Sequence, residues 1–175
     1  LVTCSWLRQS AWSLRRLGMA LAHGGMAVGI IGIGMVTTFE TEQTVTLAAG
    51  EAASVAGYEV ECRGTAEVPG PNYSAIRGLV IAKRDGNVVA ELAPEKRIYH
   101  ASKMPMTESA IDYGVFGDLY VVLGDAINLQ TWTLRIFYKP FIGWIWAGAL
   151  LMALGGLLAA LGARTRRSAA ERSVA

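Results

Sequence analysis

His23 is the residue in this sequence best placed to do chemistry. It is the only strongly polar side chain in Leu17–Val36, LGMALAHGGMAVGIIGIGMV, a stretch of 20 residues without a formal charge. As a helix rising ~1.5 Å per residue, the stretch is about 30 Å long, enough to cross the hydrocarbon core of a bilayer. An imidazole is costly to place in lipid, and its ring nitrogens ligate metals and relay protons, so it is a functional-site candidate. Two plainer roles compete: a hydrogen bond to a neighbouring helix, or a place near enough to the interface to stay wet. Spacing alone leaves all three open.

Elsewhere, chemistry-bearing constellations are scarce. With His100 as the second of two histidines, no Ser-His-Asp or His-Cys arrangement can be built. No H-E-x-x-H, P-loop or dinucleotide fingerprint occurs. The two cysteines, Cys4 and Cys62, fall on opposite sides of the first apolar stretch and form no C-x-x-C, which excludes a thiol oxidoreductase. Cys62 reads as a small core residue. His100 follows the charged run Glu95-Lys96-Arg97 and reads as a solvated or edge position. Met104-Pro105-Met106 offers thioethers suited to a soft metal, against the plainer reading of a packed loop. Glu108 and Asp112 lie four apart with nothing to make them share a proton.

The elements that must position these residues follow from the apolar pattern. Composition is 53% hydrophobic and 17% charged, and the excess is concentrated in Leu17–Val36 and Phe141–Gly162. Residues 40–139 carry 13 acids and 9 bases, whereas the flanks carry 7 bases and one acid. The bases therefore sit beside the apolar stretches, and a nucleic-acid partner is not supported. Arg8, Arg15 and Arg16 before the first stretch, and Arg164, Arg166 and Arg167 after the second, predict two membrane spans with both termini cytoplasmic. Trp144 and Trp146 fit an aromatic belt at the outer end of the second. Thr37-Thr38-Phe39 is no small-x-small cleavage site, so the first span reads as a retained anchor rather than a signal peptide. The predicted organisation is a basic cytoplasmic segment over 1–16, a span over 17–38, an extracytoplasmic domain over 39–139, a span over 140–162 and a cytoplasmic tail over 163–175. Residues 168–175 are too short and polar to fold. A first residue of Leu1 suggests a piece of a longer protein.

Within the first span, Gly18, Ala22, Gly25, Gly29 and Gly32 recur at spacings of 4, 3, 4 and 3, one stripe of small residues. Gly148, Met152, Gly155, Ala159 and Gly162 repeat the pattern in the second. The stripes could pack the two spans antiparallel, or dock each on other helices. Met19, His23, Met26 and Ile30 form an adjacent stripe. The middle segment reads as short strands at Val45–Leu47, Val55–Arg63, Ala75–Arg84, Val88–Ala93, Asp118–Leu123 and Thr131–Tyr138. Tyr58, Val60 and Cys62 share one face, as do Trp132, Leu134, Ile136 and Tyr138. Asp85-Gly86 marks a two-residue hairpin turn and Pro69-Gly70-Pro71-Asn72 a loop, while Pro105–Asp112 hints at a helical turn. The fold class is thus a membrane protein of α+β type, two transmembrane helices flanking a small antiparallel β domain, sandwich or partly open barrel.

Six blocks carry a family resemblance: GMALAH (18–23), PNYSAIRG (71–78), PEKRIY (94–99), MPMTESAID (104–112), DLYVVLG (118–124) and YKPFIGWIWAGALLMALGGLLA (138–159). In order and over nearly the whole chain, they resemble the C-terminal part of the CcmF family, the membrane haem lyases of bacterial cytochrome c maturation. The resemblance implies an inner-membrane location with the β domain in the periplasm. It implies transfer of haem from the chaperone CcmE to the thiols of apocytochrome c, alongside a CcmH-type thiol partner. It also implies a transmembrane haem b held by two histidines, of which His23 matches the second. The first histidine, the family's tryptophan-rich segment and its exported histidine pair have no counterpart in this chain. The chain alone is therefore expected not to be catalytic and to need the rest of the lyase. The alternative is a non-catalytic, membrane-anchored docking subunit for apocytochrome c or the haem chaperone.

Overall fold

The computed structural model describes residues 2–128 and 130–171, with side chains described over 14–128 and 130–163. Cys4, Trp6, Arg8, Trp12, Arg164, Arg166, Arg167 and residues 172–175 therefore lie outside the described side chains. The chain forms two compact units: residues 1–35 with 141–175, and Val36–Pro140.

The first unit is a helix pair, α1 (Val2–Phe39) and α2 (Ile142–Glu171). Each holds a segment long and apolar enough to cross a membrane, Leu14–Phe39 and Ile142–Ala163. Helix α2 continues to Glu171, so the backbone over 168–171 is helical where the sequence predicts an unfolded tail. Ser168, Ala169, Ala170 and Glu171 continue a helix already nucleated by the turns before them, because each further residue adds a hydrogen bond without a new nucleation cost.

The two small stripes face each other. A Cβ added to Gly25 would lie 2.6 Å from the Gly148 carbonyl oxygen, and one added to Gly148 would lie 2.6 Å from that of Gly25. Gly18 and Gly155 repeat this reciprocity, each aimed at the other's carbonyl oxygen at 2.5 Å. Only hydrogen fits there, so of the two uses the stripes allowed, antiparallel packing of the pair is the one adopted. Close backbone approach maximises dispersion contact where lipid offers no hydrophobic drive.

The second unit is a β-sandwich of ten antiparallel strands: β1 (Thr41–Ala48), β2 (Ala52–Val55), β3 (Tyr58–Pro69), β4 (Tyr73–Arg84), β5 (Asn87–Leu92), β6 (Glu95–Tyr99), β7 (Pro105–Glu108), β8 (Ala110–Asp112), β9 (Gly117–Ala126) and β10 (Thr131–Pro140). One sheet runs β1-β10-β9-β8. The other runs β2-β3-β4-β6-β7, with β5 also paired to β4. Of sandwich and open barrel, the sandwich is what forms. Its core alternates as the sequence predicts. Val60, Cys62, Leu134 and Ile136 are buried, with Tyr58 and Trp132 nearly so, and Tyr138 packs against them.

Two predicted elements are corrected. Val55–Arg63 is not one strand, because Ala56 and Gly57 adopt φ of 50° and 81° and close a two-residue turn between β2 and β3. Asp85 and Gly86, at 52° and 77°, make the equivalent turn foreseen between β4 and β5. Pro105–Asp112 is not helical but supplies β7 and β8. Pro105 opens β7 opposite Ile98, the first strand position, where proline's missing N–H is tolerated.

Candidate functional site

On α1 the buried stripe Gly18, Gly25, Gly29 and Gly32 lies against α2, which leaves His23 on an exposed face of the helix pair. Met19, Met26 and Ile30 flank it and are also exposed. The imidazole Nδ1 is 2.8 Å from the Met19 carbonyl oxygen, one turn back. A carbonyl can only accept, so Nδ1 carries the proton in the neutral ring and Nε2 keeps its lone pair. That nitrogen is presented from an apolar surface with no competing charge on the stripe. The arrangement suits ligation of a transition metal, with the other ring nitrogen fixed by a backbone carbonyl. Among the described residues His23 makes no bond to the facing helix; its partner is on its own helix.

The remaining candidates are brought to no common centre. His100 is exposed in the turn after β6, its Nε2 3.2 Å from the Ser74 hydroxyl, in keeping with a solvated position. Met104 and Met106 are 67% and 52% exposed, which corrects the packed-loop reading: Met104 precedes β7 and Met106 lies on it, the last strand on the path of its sheet. Glu108 pairs with Arg97 at 3.2 Å, and Asp112 sits in the opposite sheet. Among the described residues no cluster of His, Cys, Asp and Glu is arranged to hold a metal ion.

Two features of the sandwich have no simple signature in the sequence. The first is Glu95, a nearly buried carboxylate that accepts from Arg77 Nε at 2.6 Å and Arg97 Nε at 2.8 Å. The Arg97 guanidinium also lies 4.6 Å from the Tyr73 ring centroid. Hydrogen bonds, from Arg97 first and then Arg77, hold the Glu95 carboxyl below the usual carboxylate range against the opposing effect of desolvation. The β6 charge run thus contains a cross-strand anchor rather than only a solvated face. Because the folded state binds this proton less readily than the unfolded chain, Glu95 adds stability above the ordinary carboxylate range. That stability is lost as pH falls through the range toward the lowered folded value. Thermal unfolding of the chain between pH 7 and 3 should show it. Glu95→Gln should flatten the acid limb and cost about 1–3 kcal/mol at pH 7, moderated by the partial exposure of both arginines.

The second feature is a cleft of about 670 Å³ between the two sheets, lined by Pro69, Ile76 and Ile98 on one side and Ala126 and Trp132 on the other. Lys96 and Asp125 form an ion pair from sheet to sheet beside it. Trp132 is buried, and its indole Nε1 has no hydrogen-bond partner among the described residues. Alternation correctly placed Trp132 on the inner face. It could not show that the sheets part at this end of the sandwich.

A family model described as the CcmF C-terminal beta-sandwich matches residues 38–140. The chain is 42% identical over 160 residues to the cytochrome c-type biogenesis protein CcmF of Haemophilus influenzae, covering 91% of this chain and 24% of that protein. It is 39% identical over 158 residues to CcmF of Escherichia coli K12, covering 90% and 24%. The solved structure of cytochrome c heme lyase CcmF superposes with a TM-score of 0.72 at 23% identity, over 85% of this chain and 25% of that one, which bears on the fold. The chain thus spans about a quarter of the length of the curated relatives it matches.

Proposed function

This chain belongs to the CcmF family of cytochrome c biogenesis proteins, and from that membership we propose that it supplies His23 as one axial ligand to a transmembrane haem b. The observation that carries the reading is the His23 ring: Nδ1 tied to the Met19 carbonyl, Nε2 turned out from an apolar helix face between Met19, Met26 and Ile30. The donor set fits the group, since a neutral imidazole in a charge-free, water-excluding wall is a suitable axial ligand. A haem at this position supplies one-electron redox chemistry. The residues of this chain fix the imidazole tautomer, give the group a dry wall and hold α1 rigid against α2 through the glycine stripes.

The second histidine would come from the rest of the lyase, together with the tryptophan-rich segment that handles haem during ligation. The β-sandwich would face the periplasm from the inner membrane, where CcmE, a CcmH-type partner and apocytochrome c meet the lyase. Ligation itself would then belong to the assembled protein.

A split ligand set gives a direct test. Purified in detergent and mixed with haem, the 175-residue chain should give no bis-histidine low-spin spectrum. Co-expressed with the remainder of the lyase, it should. A bis-histidine spectrum from the chain alone would refute the split.

One observation favours a docking role beside this one. The cleft at Ile98 and Trp132 is an apolar recess on a rigid sandwich, the kind of surface that holds a hydrophobic side chain of a partner. Ile98→Asp should weaken capture of apocytochrome c or CcmE by the full chain in membranes and leave bound haem unchanged. Equal capture by both proteins would remove the docking reading without touching His23.

A further inference from the structure

The loop between β8 and β9, Tyr113-Gly114-Val115-Phe116-Gly117, presents three large apolar side chains: Tyr113 is 76% exposed, Val115 74% and Phe116 64%. Such a cluster is unusual at the tip of a soluble loop, where small and polar residues predominate. It carries no charge. Nor is it loose: buried Asp118 accepts the Gly114 N–H at 3.1 Å. A Cβ on Gly114 would lie 2.5 Å from the Gly117 carbonyl oxygen, and one on Gly117 would meet the Tyr138 ring at 2.6 Å. The turn is compact, and its large apolar side chains are exposed.

Strand register says which end of the sandwich this is. Gly117 pairs with Pro140, the last residue of β10, and Thr41, the first of β1, pairs with Tyr138. Glu40 and Lys139 form an ion pair at 3.1 Å, so the chain enters and leaves the sandwich on adjacent strands at this end. One residue, Glu40, separates Phe39 of α1 from β1, and one, Phe141, separates Pro140 from α2. Two apolar helices with single-residue connections leave this end of the sandwich little reach from the bilayer surface. Turns at the opposite end, such as that holding Ile127, lack this constraint. Tyrosine and phenylalanine are side chains that partition into the headgroup–acyl boundary.

We propose that the Tyr113–Gly117 loop is a membrane-surface foot, its Tyr113, Val115 and Phe116 side chains seated in the interfacial layer of the lipid bilayer that the two helices cross.

The test is nitroxide labelling of the full chain in phosphatidylethanolamine–phosphatidylglycerol vesicles, with Cys4→Ser to remove a competing thiol. Cys62 is 1% exposed and stays in place. A label at Val115→Cys should collide severalfold more with oxygen, relative to a water-soluble nickel chelate, than a label at Ile127→Cys, an exposed residue in the β9–β10 turn. Collision ratios equal at the two sites would place the loop in water. Low accessibility of Val115→Cys to both reagents would place it against protein. Either result overturns the proposal. Both substituted side chains are exposed, and unchanged circular dichroism verifies folding of each labelled protein.

Discussion

Replacing His23 by alanine in the assembled lyase should abolish its low-spin haem b spectrum while leaving the chain inserted and the sandwich folded. Among the described residues His23 hydrogen-bonds to Met19 O on its own helix, so its removal breaks no hydrogen bond between α1 and α2. The side chain is exposed on the helix pair, so no core cavity results. A structural histidine would behave oppositely, lowering stability while sparing the spectrum. Reduced-minus-oxidised absorption of membranes, with protease resistance of the sandwich as the folding control, separates the two. If His23 holds the haem as proposed, its loss should remove the low-spin band outright rather than by degrees.

The second large effect is expected at the glycine contacts. Gly155→Leu places a branched side chain where even a Cβ would meet the Ala22 backbone nitrogen and lie 2.5 Å from the Gly18 carbonyl oxygen. Backbone cannot yield as a flexible side chain does, so the helices must separate along the stripe. The cost should reach at least about 3 kcal/mol, the upper end for overpacking. Gly156 is the matched control, since a Cβ there has nothing within 4 Å. In detergent, the fluorescence-detected unfolding of the chain should shift strongly for Gly155→Leu and little for Gly156→Leu. Gly24→Ala, also into open space, should be neutral or stabilise α1 by about 0.5–1 kcal/mol from helix propensity. Equal responses from Gly155 and Gly156 would mean that the stripe does not govern packing.

What the sequence makes legible follows from which signals are local. The helical stripes are read from 3.6-residue periodicity, and the facing glycines answer that reading residue by residue. The inner faces of β3 and β10 are read from alternation. Asp85-Gly86 is read because aspartate-glycine favours positive φ. Ala56-Gly57 escaped because alanine rarely takes the φ of 50° that its turn requires, so the apolar run looked continuous. The β6 and β7 strands escaped for a different reason. Their pairing is non-local, joining Glu95 to Glu108 and to Arg77, and no short window contains a buried Glu95 satisfied by two arginines. His23 was legible as an oddity of composition. Its tautomer became legible only once the Met19 carbonyl stood beside it. The cleft beside Trp132 depends on how two sheets diverge, a property of the assembled sandwich.

Ligand rescue tests most directly whether Nε2 of His23 ligates haem iron as proposed. In membranes carrying the assembled lyase with His23→Gly, titrated imidazole should restore the low-spin b-type spectrum to the vacated position, saturably. A low-spin spectrum already present without imidazole, or none at any imidazole concentration while haem remains bound, would contradict it.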